Sequence, residues 1–190
     1  MKLPDEVTQY WENANGAMRH EPPKEHHVRL VREKFERLQI SKDPHRRWMA
    51  WGAGKLERDY ARDHGHELVE INIHNQHRAE EWVSDRQVDT VTSVTVFQHF
   101  PDRDWSRLVL QQMRSCTRPG GEGMVQIRYC ETSQLERYEQ RAKLPYAKHP
   151  ADHCAWTIAE FWDQLDASGF RPTSVLLQPP ERYAWFYFNA

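Results

Sequence analysis

The sequence predicts an α/β protein built on one doubly wound, largely parallel sheet. Three observations carry that prediction. Short apolar runs alternate with segments whose apolar residues recur at helical spacing, the pattern of strands joined by crossover helices. One run, Trp48-Met-Ala-Trp51, stops at Gly52-Ala-Gly54, and Leu56, Tyr60 and Ala61 then follow at helical spacing. The last two runs, Ser174–Leu177 and Tyr183–Phe188, are linked by Gln178-Pro-Pro-Glu181. That link is too short for a helical crossover, so the pair is expected to be an antiparallel hairpin.

Taken in order, residues 5–20 read as a helix with Val7, Tyr10, Trp11 and Ala14 on one side, stopped near Asn15-Gly16. Pro22-Pro23 breaks the chain, and a second helix runs from Glu25 to Leu38 on the stripe Val28, Val31, Phe35, Leu38. The first strand, the glycine turn and a helix ending near His64 come next. Leu68 to Ile73 is the second strand, and the β-branched run Val88 to Val96 is a third. Asp102 or Asp104 can cap the following helix, where Trp105, Leu108, Val109 and Met113 share a face. Arg118-Pro-Gly-Gly121 reads as its stop, before a strand from Gly123 to Tyr129. A polar segment from Glu131 to His153 holds a helix around Leu135–Leu144 and then a loop at Pro145–Pro150. Ile158, Phe161, Trp162 and Leu165 mark a last helix, closed by Gly169. No repeat, low-complexity tract or linker divides the 190 residues, so one domain is expected over 1–190: a helical cap over 1–45 and a core over 46–190.

Composition excludes several classes. The formal charge of −2, with acidic and basic residues interspersed, disfavours nucleic acid as a partner, although Arg46, Arg47, Arg114, Arg118 and Arg128 give local basic spots. No stretch of about 20 apolar residues spans a membrane. The N-terminus lacks the apolar core of a signal peptide, and three cysteines without a CxxC pair fit a reducing compartment, so a cytoplasmic protein is expected. The eleven histidines include the pairs His64/His66, His74/His77 and His149/His153, but spacing fixes no third ligand, and no metal site is read. Oligomeric state is not legible.

The order of these elements resembles the class I S-adenosylmethionine-dependent methyltransferases. Trp51-Gly-Ala-Gly54 stands where that family has its glycine-rich first motif. Leu68-Val-Glu-Ile-Asn72 stands where its second strand ends in a ribose-binding residue. Val88 to Asp102, with Phe97-Gln-His-Phe-Pro-Asp102, is similar to its fourth strand and the turn that follows, and Met113 to Gly121 resembles the turn before its fifth. The resemblance covers residues 46–190. It implies a Rossmann-like sheet of order 2-1-4-5-7-6, with strand 7 antiparallel and strand 3 missing or reduced, since little chain lies between Asn72 and Asp89. It also implies S-adenosyl-L-methionine as cofactor, held by Trp51, Gly52, Ala53, Gly54, Glu70, Asn72, Val96 and Phe97. Ala50 and Asn72 stand where the family usually has acids, and Leu56 where it has a third glycine. These departures weaken the cofactor site.

Methyl transfer is mainly a positioning problem, with a base needed where the acceptor must lose a proton. His99 lies just past the strand that begins at Val88, and its ordinary pKa near ~6.5 suits a base. Its other reading is a packing or capping residue under the next helix. Tyr129, at the end of its strand, is the second catalytic candidate. The 131–156 segment reads either as a lid, with Tyr138, Tyr146, His153 and Trp156 contacting a small-molecule or glycan-type acceptor, or as a solvated helix packed on the sheet. Tyr10 and Trp11 could close over the cofactor or serve packing alone. Three functions stay open: methyl transfer, an inactive binding or scaffold protein, and other chemistry with the sulfonium cofactor. From the sequence, Gly52→Asp is expected to abolish cofactor binding with the fold largely intact.

Overall fold

The computed structural model describes residues 4–18, 25–72, 79, 87–148, 154–179 and 182–190. The strands are β1 Arg47–Trp51, β2 Glu67–Ile71, β3 Val88–Ser93, β4 Thr117–Tyr129, β5 Ala155–Trp156, β6 Arg171–Gln178 and β7 Tyr183–Asn189. They form one seven-stranded sheet of order β2-β1-β3-β4-β7-β6, with β5 pairing parallel to β4 off that path. Neighbours from β2 to β4 are parallel, and β7 is antiparallel to both β4 and β6. The helices are α1 Asp5–Met18, α2 Glu25–Phe35, α3 Lys55–His64, α4 Arg103–Cys116, α5 Leu135–Ala142 and α6 Ile158–Ala167.

The expected order 2-1-4-5-7-6 is corrected to 2-1-3-4-7-6. The third strand counted along this chain is Val88–Ser93, the run matched above to the family's fourth strand, hydrogen-bonded to β1 and β4. Most of the stretch between β2 and β3 lies outside the described residues. β3 also ends at Ser93 rather than Val96, because Thr95 turns the chain at a φ of 59°. Arg118-Pro-Gly-Gly121, expected as a turn, belongs to β4: Gly120 N–H donates to the Ala190 carbonyl at 3.0 Å and Ala190 N–H to that of Gly121 at 2.8 Å. β5 is a strand that periodicity does not announce, being two residues long.

Both faces of the sheet are covered, which explains the near-continuous apolar runs. Alternate residues divide between the faces. Met49, Trp51, Val125, Ile127, Phe186 and Phe188 pack with α4 and α6. Trp48, Ala50, Met124, Trp185 and Tyr187 pack with α2 and α3. Burying one such side chain contributes about 1.5–3 kcal/mol, so the central strands anchor the domain. Helix starts are capped: Asp102 accepts the Trp105 N–H at 2.9 Å, and Thr157 and Glu160 form a reciprocal box at α6. No helix among the described residues is long and apolar enough to cross a membrane.

Candidate active site

The carboxyl ends of β1, β2 and β3 meet at the glycine turn. Gly52 has a φ of +72°, and its N–H donates to the Ile71 carbonyl at 2.7 Å, which ties the turn to the end of β2. Asn72 follows at once and is exposed. Val96 lies directly against Gly52; a Cβ there would stand 2.2 Å from Val96 Cγ2. Ala53 packs on the α2/α3 core, while Trp51 and Phe97 are buried in the other core, with Phe97 edge-on to Phe100 and Phe161. The Phe97 side chain thus belongs to the core and not to the surface of the turn. Glu70 points elsewhere too: its carboxylate takes the Arg58 guanidinium at 2.8 Å.

The start of α3 carries an internal cap. Glu57 is only 6 % exposed, and its carboxyl accepts the Gly54 N–H at 2.8 Å. Burial raises its pKa from the ordinary value, against the lowering effect of the Glu57 and Gly54 N–H groups. Free N–H groups at a helix start are what hold phosphates in many nucleotide sites. Here the Gly54 donor is already used. Sequence reasoning passed over Glu57, although a glutamate at the third helical position is a readable capping signal.

His99 ends a single 3₁₀ turn, Phe97–His99, that begins right after Val96. At about 2 Å rise per residue, the turn sets His99 some ~6 Å beyond Val96. It is half-buried under α1. The Trp11 ring meets the imidazole edge-on at 4.6 Å, and Gln98 Nε2 lies 3.4 Å from His99 Nε2. Trp11 Nε1 donates to the Tyr146 hydroxyl at 2.8 Å, which in turn donates to the His99 carbonyl. Tyr10 packs edge-on to Tyr146 at 5.5 Å, and Val7 and Trp105 complete the cluster. Thus α1, the 146–148 turn and the start of α4 close together over His99. Tyr146 is 1 % exposed, and burial pushes its phenol well above the usual range. Gln98, missed in the sequence, is also buried, and its Oε1 finds no partner among the described residues. Tyr146→Phe removes the hydroxyl that joins the half-buried Trp11 Nε1 to the His99 carbonyl, each lost hydrogen bond costing about 0.5–1.5 kcal/mol. A fall in the thermal midpoint of several degrees is expected, with Trp11 fluorescence shifting to longer wavelength; an unchanged midpoint and spectrum would refute the closure.

The remaining candidates lie along the β4 edge. Tyr129 is half-buried and pairs with Trp156 across β4 and β5. Trp156 is buried, with the Arg103 guanidinium 4.7 Å over its ring. Tyr138 of α5 packs with Cys130, Ala155 and Leu135 and lines a cavity of about 470 Å³ with Asp102, Glu139 and Lys143. His153 lies outside the described residues. A larger cavity of about 560 Å³ sits at the amino ends of β1 and β4, among Arg46, Arg118, Glu122 and Arg171. It is at the wrong end of the sheet for the glycine turn, and two of its arginines are paired with Asp43 and Asp89. No three potential metal ligands gather among the described residues.

A family model described as a methyltransferase domain matches residues 26–175. The chain belongs to that methyltransferase family. The methyltransferase fold is shared with solved structures of low identity. A complex between the Haloferax volcanii Trm112 methyltransferase activator and a methyltransferase matches at 12 % identity and TM-score 0.66, covering 100 % of this chain and 99 % of that one. The 1,6-didemethyltoxoflavin-N1-methyltransferase of Burkholderia thailandensis, solved with bound 1,6-didemethyltoxoflavin and S-adenosylhomocysteine, matches at 13 % and 0.63, covering 100 % and 91 %. The [4+2]-cyclase SpnF matches at 12 % and 0.61, covering 85 % and 80 %. No curated protein sequence matches the chain.

S-adenosylmethionine is the cofactor of this methyltransferase family. The residues present fit a ligand of that kind. The Gly52–Gly54 turn is closed over Gly52 by Val96 but open at Gly54, where a Cβ would meet only the Glu57 carboxyl at 3.3 Å, and Glu57 occupies the donor that a pyrophosphate would need. Asn72, exposed at the neighbouring strand end, carries the kind of polar side chain that such a site would need.

Proposed function

We propose that this methyltransferase domain transfers the methyl group of S-adenosylmethionine to a small-molecule or glycan-type acceptor. The single observation that carries the reading is the convergence of the Gly52 turn, the end of β2 and Val96, with His99 one 3₁₀ turn away. The backbone from Trp51 to Gly54 and at Val96 and Phe97 binds the cofactor together with Asn72, the Trp51 and Phe97 side chains staying in the core, with Glu70 reaching it only if Arg58 lets go. When bound there, S-adenosylmethionine would supply an electrophilic methyl group. His99 takes the proton that a hydroxyl or ammonium acceptor must lose, which asks Trp11 to move off its ring. Tyr129 and Tyr138, with the 131–156 segment and His153, shape the acceptor side, while Tyr146 and Trp156 support it from within the core. Water is kept out by α1, the role of lids in many transferases.

A second reading, a binding or scaffold protein without catalysis, is favoured by the closed Trp11–Tyr146–His99 contact and by Ala50 in place of an acid. The likeness to a cyclase keeps non-methylating chemistry as an outcome of the same test. A protein partner, as in the Trm112 complex, is a further outcome. The test is calorimetric titration with S-adenosylmethionine and S-adenosylhomocysteine, for the wild type and Gly54→Ala. At Gly54 a Cβ would meet only the flexible Glu57 carboxyl, at 3.3 Å, and the φ of −104° suits any residue. Wild-type binding near micromolar, about −8 kcal/mol, and a loss of ten-fold or more in the folded variant are expected. An absence of binding in a folded wild type would favour the scaffold.

A further inference from the structure

The β-branched run Val94-Thr-Val96 should continue β3, yet the strand stops at Ser93 and Thr95 adopts a φ of 59°. Left-handed backbone is rare for any residue but glycine and a genuine outlier for a β-branched one. Strain of this kind persists only where surrounding structure over-determines it. What holds Thr95 comes from β4. Gln126, 1 % exposed, accepts the Thr95 N–H on its Oε1 at 2.8 Å. The Thr95 hydroxyl closes locally on the Val94 carbonyl at 2.7 Å. A glutamine between Met124 and Trp185 costs desolvation that a leucine would not. Sheet packing alone gives no reason for it.

The consequence is felt one residue on. With Thr95 turned, Val96 leaves the line of β3 and its Cγ2 comes to rest over Gly52. The contacts therefore run Gln126 to Thr95 to Val96 to Gly52, from the middle of β4 to the glycine turn. We propose that Gln126 is a positioning residue for the cofactor cradle. Its amide oxygen latches Thr95 in the left-handed conformation, which seats Val96 against Gly52 and fixes the floor of the site. This rests on the reading that the cofactor binds at Gly52–Gly54. Gln126 touches no ligand itself; it acts through Thr95.

The experiment is a cycle of Gln126→Leu and Thr95→Gly, read by titration with S-adenosylhomocysteine and by amide exchange at Thr95. Gln126→Leu keeps the buried volume and removes the acceptor. It is expected to raise the Kd about ten-fold, through lost preorganisation, and to abolish exchange protection at Thr95. Thr95→Gly adopts positive φ without help. The double variant is therefore expected to bind within about three-fold of wild type. Gln126→Glu, which still offers an oxygen, should also stay within that range, and Gln126→Met replaces the leucine variant if the latter does not fold. Retained protection at Thr95 in Gln126→Leu would overturn the latch, with or without a ligand. So would unchanged affinity, or a double variant as weak as the single. A wild type that binds neither ligand while the latch variants lose protection would instead overturn the placement of the cofactor, and with it the role of the latch there.

Discussion

Gly52→Ala is expected to destabilise the domain by about 2–5 kcal/mol, a large part of the 5–15 kcal/mol that domains possess. Two independent costs add. Alanine at a φ of +72° meets its own neighbouring carbonyl, at roughly 1–2 kcal/mol. Its Cβ would also stand 2.2 Å from Val96 Cγ2, so Val96 or the turn must shift, at about 1–3 kcal/mol for overpacking. The costs are separable. Val96→Ala removes the colliding methyl but not the backbone strain. The double variant should therefore be more stable than the sum of the single effects allows, with the strain left as residue. Urea denaturation of the four proteins measures this directly. Additive effects would show that Val96 is not seated on Gly52. The sequence-based expectation that Gly52→Asp spares the fold is corrected by the same geometry, because a larger side chain meets the same wall. Gly54→Ala is the cleaner probe of ligand binding.

Legibility followed range of interaction. The turn at Gly52 could be read because its cause is local: an apolar run stops at two glycines and a helical stripe starts. The hairpin β6/β7 could be read because the link is short, whatever packs around it. The end of β3 could not. Val94-Thr-Val96 has high strand propensity, and what overrides it is one hydrogen bond from Gln126, 31 residues away. The cover over His99 was half legible. Tyr10 and Trp11 stand on one helix face, but the hydroxyl that anchors Trp11 comes from Tyr146, 135 residues on. Arg118–Gly121 misled in the opposite sense. Proline and glycines normally signal a turn, and here pairing with the Ala190 backbone keeps them in the strand. Of the cofactor candidates, Trp51 and Phe97 turned out to be core side chains beside the site, a distinction that burial on both faces of a parallel sheet hides from periodicity.

Glu57→Gln is expected to reverse part of the domain's pH dependence. Glu57 has an ordinary pKa of 4.5, raised in the folded protein by burial first of all. A carboxyl with a raised folded pKa holds more protons folded than unfolded. Stability therefore declines as pH rises from 4.5 through the folded value, by about 1.4 kcal/mol for each unit of elevation. Glutamine stays neutral throughout and still offers an oxygen to the Gly54 N–H, the other residue type that serves at this capping position. The thermal midpoint of the wild type should thus fall relative to Glu57→Gln as pH rises above 4.5, and the two should approach each other at lower pH. Glu122, half-buried and raised by desolvation in the same direction, is common to both proteins and cancels from the difference. Glu57→Ala loses the cap and should be weaker by about 1 kcal/mol near pH 4.5, where charge plays little part. A difference that stays flat across the range would mean that the carboxyl is solvated. The start of α3 would then be open, its Gly54 N–H free, and this cradle as ready for a phosphate as any helix start.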